Sequence, residues 1–156
     1  MNMTFDQAFE RLIGHEGDYV FHPKDPGGET KYGISKRSYP NEDIKNLTLE
    51  RAKEIAFQDY WLAAGCPAVP EAVRFDLFDM AYNSGVDRAI KTLQEAAGSE
   101  PDGVFGQYTL IAINQMGPET VSKRFTGHRL RFMASLKTWP AFGRGWARRI
   151  ADNLIA

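Results

Sequence analysis

The chain has 156 residues, 43% of them hydrophobic and 25% charged, which suits one domain, built as two lobes around one cleft, and supplies a core without metal or disulfide staples. Its single cysteine, Cys66, excludes an internal disulfide and reads as a small buried hydrophobe. The net charge of −1 excludes a strongly basic or acidic chain but hides an asymmetry: residues 123–156 hold eight Lys and Arg against Asp152 alone, a net +7, which leaves −8 on residues 1–122. That basic segment either attracts an anionic polymer or is a solvated helix face that balances the acidic part.

The first residues, MNMTFDQAFERLIGHEGD, carry acids and no apolar run of signal-peptide length. No window approaches the roughly 18 apolar residues of a membrane span. The expectation is synthesis in a cytoplasm, no membrane span, and an extracytoplasmic target reached only if another protein opens the way. Thr4-Phe5-Asp6-Gln7 reads as a capping box. Phe5, Ala8, Phe9, Leu12 and Ile13 then recur at helical spacing, and Gly14 and Gly17 bracket the end of this helix. Glu16 therefore falls at or just past a helix C-terminus.

Residues 17–47 show no helical period. Pro23, Pro26, Gly27, Gly28 and Gly33 punctuate them, which predicts turns and a short irregular β-hairpin. Thr48 caps the next expected helix, with Leu49, Ala52, Ile55 and Ala56 on one face and Gly65 past its end. Pro70 opens another, which carries Val73, Leu77, Met80 and Ala81 and stops near Gly85. A further helix is expected from Val86 to Ala97 with Gly98 as its stop, and Pro101-Asp102-Gly103 is a turn. The remaining helices are expected over Thr109 to Asn114, Glu119 to Leu136 and Arg144 to Leu154. The pattern is mainly helical, with one polar, glycine-rich excursion near the N-terminus. An irregular stretch of that length inside a compact domain is usually functional.

The chemistry of the excursion starts from its carboxylates. Two acids that flank a cleft can hydrolyse a glycosidic bond, one protonated and donating to the leaving oxygen, the other ionised and activating water or attacking the sugar. Glu16 suits the first role, because the negative end of a helix dipole disfavours its ionisation and apolar neighbours such as Ile13, Tyr19 or Phe21 would add desolvation. Asp25, among polar and glycine residues, stays ionised, and the Thr30 hydroxyl can hold a water beside it. The plainer reading makes these acids turn-formers next to Gly and Pro. His15, Glu16, His22 and Asp25 are also possible metal ligands. However, the two histidines do not match the His-Glu-x-x-His helix pattern, and neither a metal nor another cofactor is expected. No Gly-x-Ser-x-Gly elbow occurs, and Gly27-Gly28 lacks the Lys and the helix of a phosphate loop.

Glu-Gly-Asp-Tyr at 16–19, Asp25-Pro26-Gly27-Gly28 and Thr30-Lys31-Tyr32-Gly33-Ile34-Ser35 resemble glycoside hydrolase family 108. Its pattern reads Glu-Gly-Gly-Tyr, then Asp-x-Gly-Gly-x-Thr-x-Tyr-Gly-Ile. Phe78-Asp79-Met80-Ala81-Tyr82-Asn83-Ser84-Gly85, Leu93-Gln94, Asp102-Gly103-Val104-Phe105-Gly106 and Thr109-Leu110 are similar to its companion region, a presumed peptidoglycan-binding one. The resemblance covers nearly the whole chain, as a hydrolase region over 1–92 and a peptidoglycan-binding region over 93–154 of a single domain. It implies a mainly α, lysozyme-like, two-lobed fold with a cleft. It implies an N-acetylmuramidase, in the role of a phage endolysin, that cleaves the β-1,4 bond between N-acetylmuramic acid and N-acetylglucosamine in bacterial peptidoglycan. Glu16 takes the family's general-acid position. The spacing Glu-x8-Asp-x4-Thr also resembles the Glu/Asp/Thr set of phage-type lysozymes, which has one residue more between Asp and Thr. By that analogy Asp25 and Thr30 hold the attacking water and the anomeric carbon inverts. A monomer with peptidoglycan as its partner, a holin or other export route, and no nucleic acid complete the expectation.

One position departs from the pattern: Asp18 stands where the family has Gly, and its charge would raise the Glu16 pKa further. Tyr19, Tyr32 and Asn83 are candidates to line the cleft, since aromatic faces pack on sugar rings and an amide bonds an N-acetyl group. Hairpin packing and helix capping are the ordinary alternatives. Trp61, Trp139 and Trp146 read as core or lobe-interface residues, and His128 as a surface one. A peptidoglycan-binding module without activity is the rival function: it would keep Asn83 and the basic segment and would not need Glu16.

Overall fold

The computed structural model describes residues 3–14, 19–21 and 28–156. Its first helix, α1 (Phe5–Ile13), starts at the expected capping box: Thr4 Oγ1 accepts from the Gln7 amide at 3.3 Å, and Gln7 Oε1 accepts from the Thr4 amide at 3.0 Å. Ala8, Phe9 and Leu12 form its buried stripe. Three short antiparallel strands follow in the order β1 (Val20–Phe21), β2 (Glu29–Lys31), β3 (Ile34–Ser35). The expected hairpin is thus the β2–β3 half of a small three-stranded sheet.

Thr48 caps α2 (Leu49–Ile55), its hydroxyl accepting from the Arg51 amide at 3.1 Å. The sequence pattern carries one helix on toward Gly65, but the winding widens to π from Ala56 to Leu62. In that winding Phe57 and Trp61 both reach Phe5, with ring centroids 5.0 and 5.5 Å away, while Tyr60 meets Tyr82 at 4.9 Å. A helical turn at Cys66–Ala68 leads into α3 (Glu71–Ser84). Cys66 is fully buried, and burial pushes its thiol up to about 12, so it is a packing group without thiolate character.

From Leu77 to Tyr82 helix α3 is buried on every side. Val73, Phe75, Leu77, Phe78, Asp79, Met80, Ala81 and Tyr82 are all shielded from water, as in a helix at the centre of a core. Around it pack α1, α4 (Val86–Ala97) and α6 (Pro118–Ser135), with α5 (Gln107–Met116) against α4 and α6, and α7 (Trp139–Ile155) against α6. One apolar cluster runs from Ala8 to Phe125. The architecture is the expected mainly α, lysozyme-like fold with a small sheet near the N-terminus.

The largest boundary difference is at α7, which begins at Trp139, five residues before the expected start. Pro140 sits in the first turn, where a missing N–H costs nothing. Gly143 is no breaker: a Cβ there would collide with the Trp139 ring, which packs against the helix at that point. His128 is half-buried rather than on the open surface, its Nδ1 3.5 Å from Glu95.

The basic segment is partly consumed inside the molecule. Asp79, fully buried, accepts from Arg129 Nη1 at 2.7 Å, from Arg149 Nη2 at 2.8 Å and from Asn153 Nδ2 at 3.0 Å, which ties α3 to α6 and α7. Arg124 donates to the Ala96 carbonyl at 2.7 Å. Burial works against ionisation of Asp79, but the two guanidiniums overcome it and hold the carboxyl at about 2. Arg129 and Arg149 therefore serve the core and are not offered to a polymer. Among the described residues, no helix is long and apolar enough to cross a membrane.

Candidate functional site

Glu16 and Asp25 lie outside the described residues, as do Asp18, His15 and His22. The remaining candidates fall into two neighbouring groups. Tyr19, Thr30 and Tyr32 belong to the sheet, and Asn83 sits near the end of α3.

Register assigns the sheet positions. Val20 pairs with Thr30, and Thr30 with Ser35, so these three side chains share one face. Phe21 pairs with Glu29, and Lys31 with Ile34, on the opposite face. Thr30 is half-buried, and its hydroxyl has only a long 3.5 Å approach to the Val20 carbonyl. Its hydrogen-bonding capacity is largely free for another acceptor or a water. Tyr19 is 36% exposed and donates to Glu29 Oε2 at 2.6 Å. That bond raises the Tyr19 pKa and keeps the phenol neutral while its ring stays open to solvent.

The connection between β2 and β3 is two residues long. Tyr32 has φ +52° and Gly33 φ +80°, the two left-handed residues that a type I′ hairpin turn requires. Glycine adopts this at no cost. A tyrosine does not, and among the described non-glycine residues Tyr32 alone has positive φ. What holds it is a long-range bond: the Tyr82 hydroxyl donates to the Tyr32 carbonyl at 2.7 Å. Behind Tyr82 lies the Tyr60 ring, and the Tyr39 hydroxyl donates to Asp59 Oδ2 at 2.8 Å. Burial raises the pKa of both Tyr39 and Tyr60, so these two phenols stay protonated. Tyr32 therefore combines packing with placement, since its backbone is the point where the hairpin joins α3.

Asn83 follows Tyr82 directly and is exposed. With Ser84 it borders a cavity of about 320 Å³ between the end of α3 and the α6–α7 corner, whose other walls include Phe132, Thr138, Phe142 and Trp146. Trp61 is in the core as expected, but Trp146 is half-buried and faces this cavity. The spacing of Phe142 and Trp146, four apart on one helix, was the available signal. Starting α7 at Arg144 hides it.

A family model described as Glycosyl hydrolase 108 matches residues 9–85 of this chain. No curated protein matches it. Among the solved structures, SagA of Brucella abortus is 33% identical, over 95% of this chain and 90% of that one, with a TM-score of 0.87.

Proposed function

Because this chain belongs to the glycosyl hydrolase 108 family, and is thereby a lysozyme-like glycoside hydrolase, we propose that it is an N-acetylmuramidase, cutting the β-1,4 bond between N-acetylmuramic acid and N-acetylglucosamine in peptidoglycan. One observation carries the reading beyond the family: the hairpin that bears Thr30 is bonded through Tyr82 to the helix end that bears Asn83, so a reacting group and a binding group are held as one unit.

Glu16 follows the C-terminus of α1 by three residues beyond Ile13. The negative end of that helix dipole would favour its protonated form, and the proton goes to the glycosidic oxygen as the bond breaks. Asp25 stays ionised and accepts a proton from a water. Thr30 accepts or donates the second hydrogen bond that fixes this water against the anomeric carbon. Attack from the face opposite the leaving group gives an inverted product. Tyr19 and Tyr32 offer ring faces, and Asn83 an amide, to the sugars.

Digestion of purified peptidoglycan by wild type and by Glu16→Gln, with mass spectrometry of the new ends, tests this. Reducing muramic-acid ends are expected from wild type and none from Glu16→Gln. Reducing glucosamine ends or new peptide termini would mean a different bond. Binding without product from wild type would favour the peptidoglycan-binding module instead.

A further inference from the structure

Arg129 and Arg149 are spent on Asp79, but the basic segment also sends cations outward. On α6, Lys123, Arg124 and Arg131 are exposed, against one acid of that helix, Glu119, four residues before Lys123. Arg124, Gly127, His128 and Arg131 recur at the spacing that lines up one side of a helix. Together they border a dent of about 220 Å³.

Gly127 keeps the dent open. A glycine inside an 18-residue helix weakens it relative to alanine. Packing does not demand this one, since a Cβ there would meet nothing within 4 Å. What the bare backbone does is clear the space between two guanidiniums. Arg124 is braced beside it: its Nε donates to the Ala96 carbonyl at 2.7 Å, which leaves its terminal nitrogens to another acceptor. A side chain already held loses less freedom when an anion arrives. Guanidinium donors in such an arrangement suit a phosphate, which they bind through charge-assisted hydrogen bonds.

The layout of the face selects the bearer of that phosphate. The donors do not close around one ion. From Arg124 to Arg131 they are strung along about 10 Å of helix, and Leu130, 37% exposed, stands among them. A nucleic-acid strand would call for aromatic rings between the cations, whereas the exposed apolar side chains of α6 are Leu130 and Ala134. Cations interleaved with aliphatic groups match a layer of phosphates with hydrocarbon beneath it. We propose that the outward face of α6 docks on an anionic phospholipid bilayer, with one headgroup phosphate seated between Arg124 and Arg131 over Gly127. Lys123 meets a neighbouring headgroup, and Leu130 reaches the acyl boundary. The contact is separate from the muramidase reading, because a bilayer holds no glycan.

The test is flotation of the whole chain with mixed vesicles of phosphatidylglycerol and phosphatidylcholine. The chain is expected to float with them at low salt, to be released at high salt, and to ignore pure phosphatidylcholine. Lys123→Ala and Arg131→Ala should each weaken binding by about fivefold, the weight of one basic side chain at an anionic surface. Gly127→Glu puts a carboxylate into the dent where there is room for it, and should abolish flotation while the circular dichroism stays that of wild type. Lys45→Ala, which loses the same charge from an exposed position in the loop before α2, should leave binding unchanged. No flotation with anionic vesicles at low salt, or equal losses in Lys45→Ala and Arg131→Ala, would overturn the docking face. So would release by millimolar inorganic phosphate at constant ionic strength, which would make the dent a site for the free ion. Duplex DNA that strips the chain from the vesicles would overturn it too, as the mark of a surface for any polyanion. The two alanine variants decide alone should Gly127→Glu fail to fold.

Discussion

Asp76 and Asp79 stand one helical turn apart on α3 and titrate in opposite directions. Asp79, held at about 2 against an ordinary 3.8, gives stability that is present above pH 4 and is lost as pH falls toward 2. Asp76 is pushed up to about 6, by burial first and by the Asp79 charge, with Arg129 opposing. Its folded pKa is raised, so its contribution is fully present below pH 4 and is lost as pH rises through 6. Asp76→Asn should therefore gain on wild type by about 2–3 kcal/mol between pH 4 and pH 7, measured by urea unfolding at each pH. A stability difference that does not change with pH would defeat this account. At this scale the sequence is legible only where partners are close. The Thr4 and Thr48 caps are read three residues away, whereas Asp79 finds Arg149 seventy residues on, and no local pattern points to it.

The hairpin is the element that function leans on. A left-handed tyrosine costs on the order of 1–3 kcal/mol, and the Tyr82 hydroxyl is the group that offsets it. Tyr82→Phe keeps the ring packed against Phe78 and Tyr60 and removes that donor. Stability should fall by about 1 kcal/mol, and hydrolysis of peptidoglycan by more than this accounts for, about tenfold in kcat/KM, because the strand bearing Thr30 is no longer fixed. A stability loss with an unchanged kcat/KM would make Tyr82 a packing residue only. A hairpin in this stretch was readable from its proline and glycine punctuation, but not that a left-handed tyrosine would turn it. The π winding after Ile55 and the early start of α7 were not, since both are settled by which aromatic rings must meet: Phe5 with Trp61, and Trp139 with the bare backbone of Gly143.

For the molecule as a whole, α3 is the axis on which the other helices are assembled, and the sheet is an appendage of seven strand residues joined to it. Amides in the middle of α3 should exchange hydrogen only through global unfolding, and those of β1 to β3 through cheaper local opening. Exchange mass spectrometry that found equal protection in both would contradict this. Helical periodicity and glycine stops made the fold class legible. The α3–α6–α7 corner and its aromatic cavity were not, because three helices distant in sequence build it. The Asp79 cluster also bears on how the chain is made. Synthesis delivers the carboxylate long before either of its guanidinium partners, Arg129 fifty residues later and Arg149 seventy. A nascent chain that has just completed α3 holds a core helix with an unneutralised acid in it, and burying that acid would cost more than the early contacts return. Packing of α3 is thereby expected to wait for α6 and α7, so a product cut short before them should expose α3 and be open to proteolysis instead of persisting as a half-built enzyme.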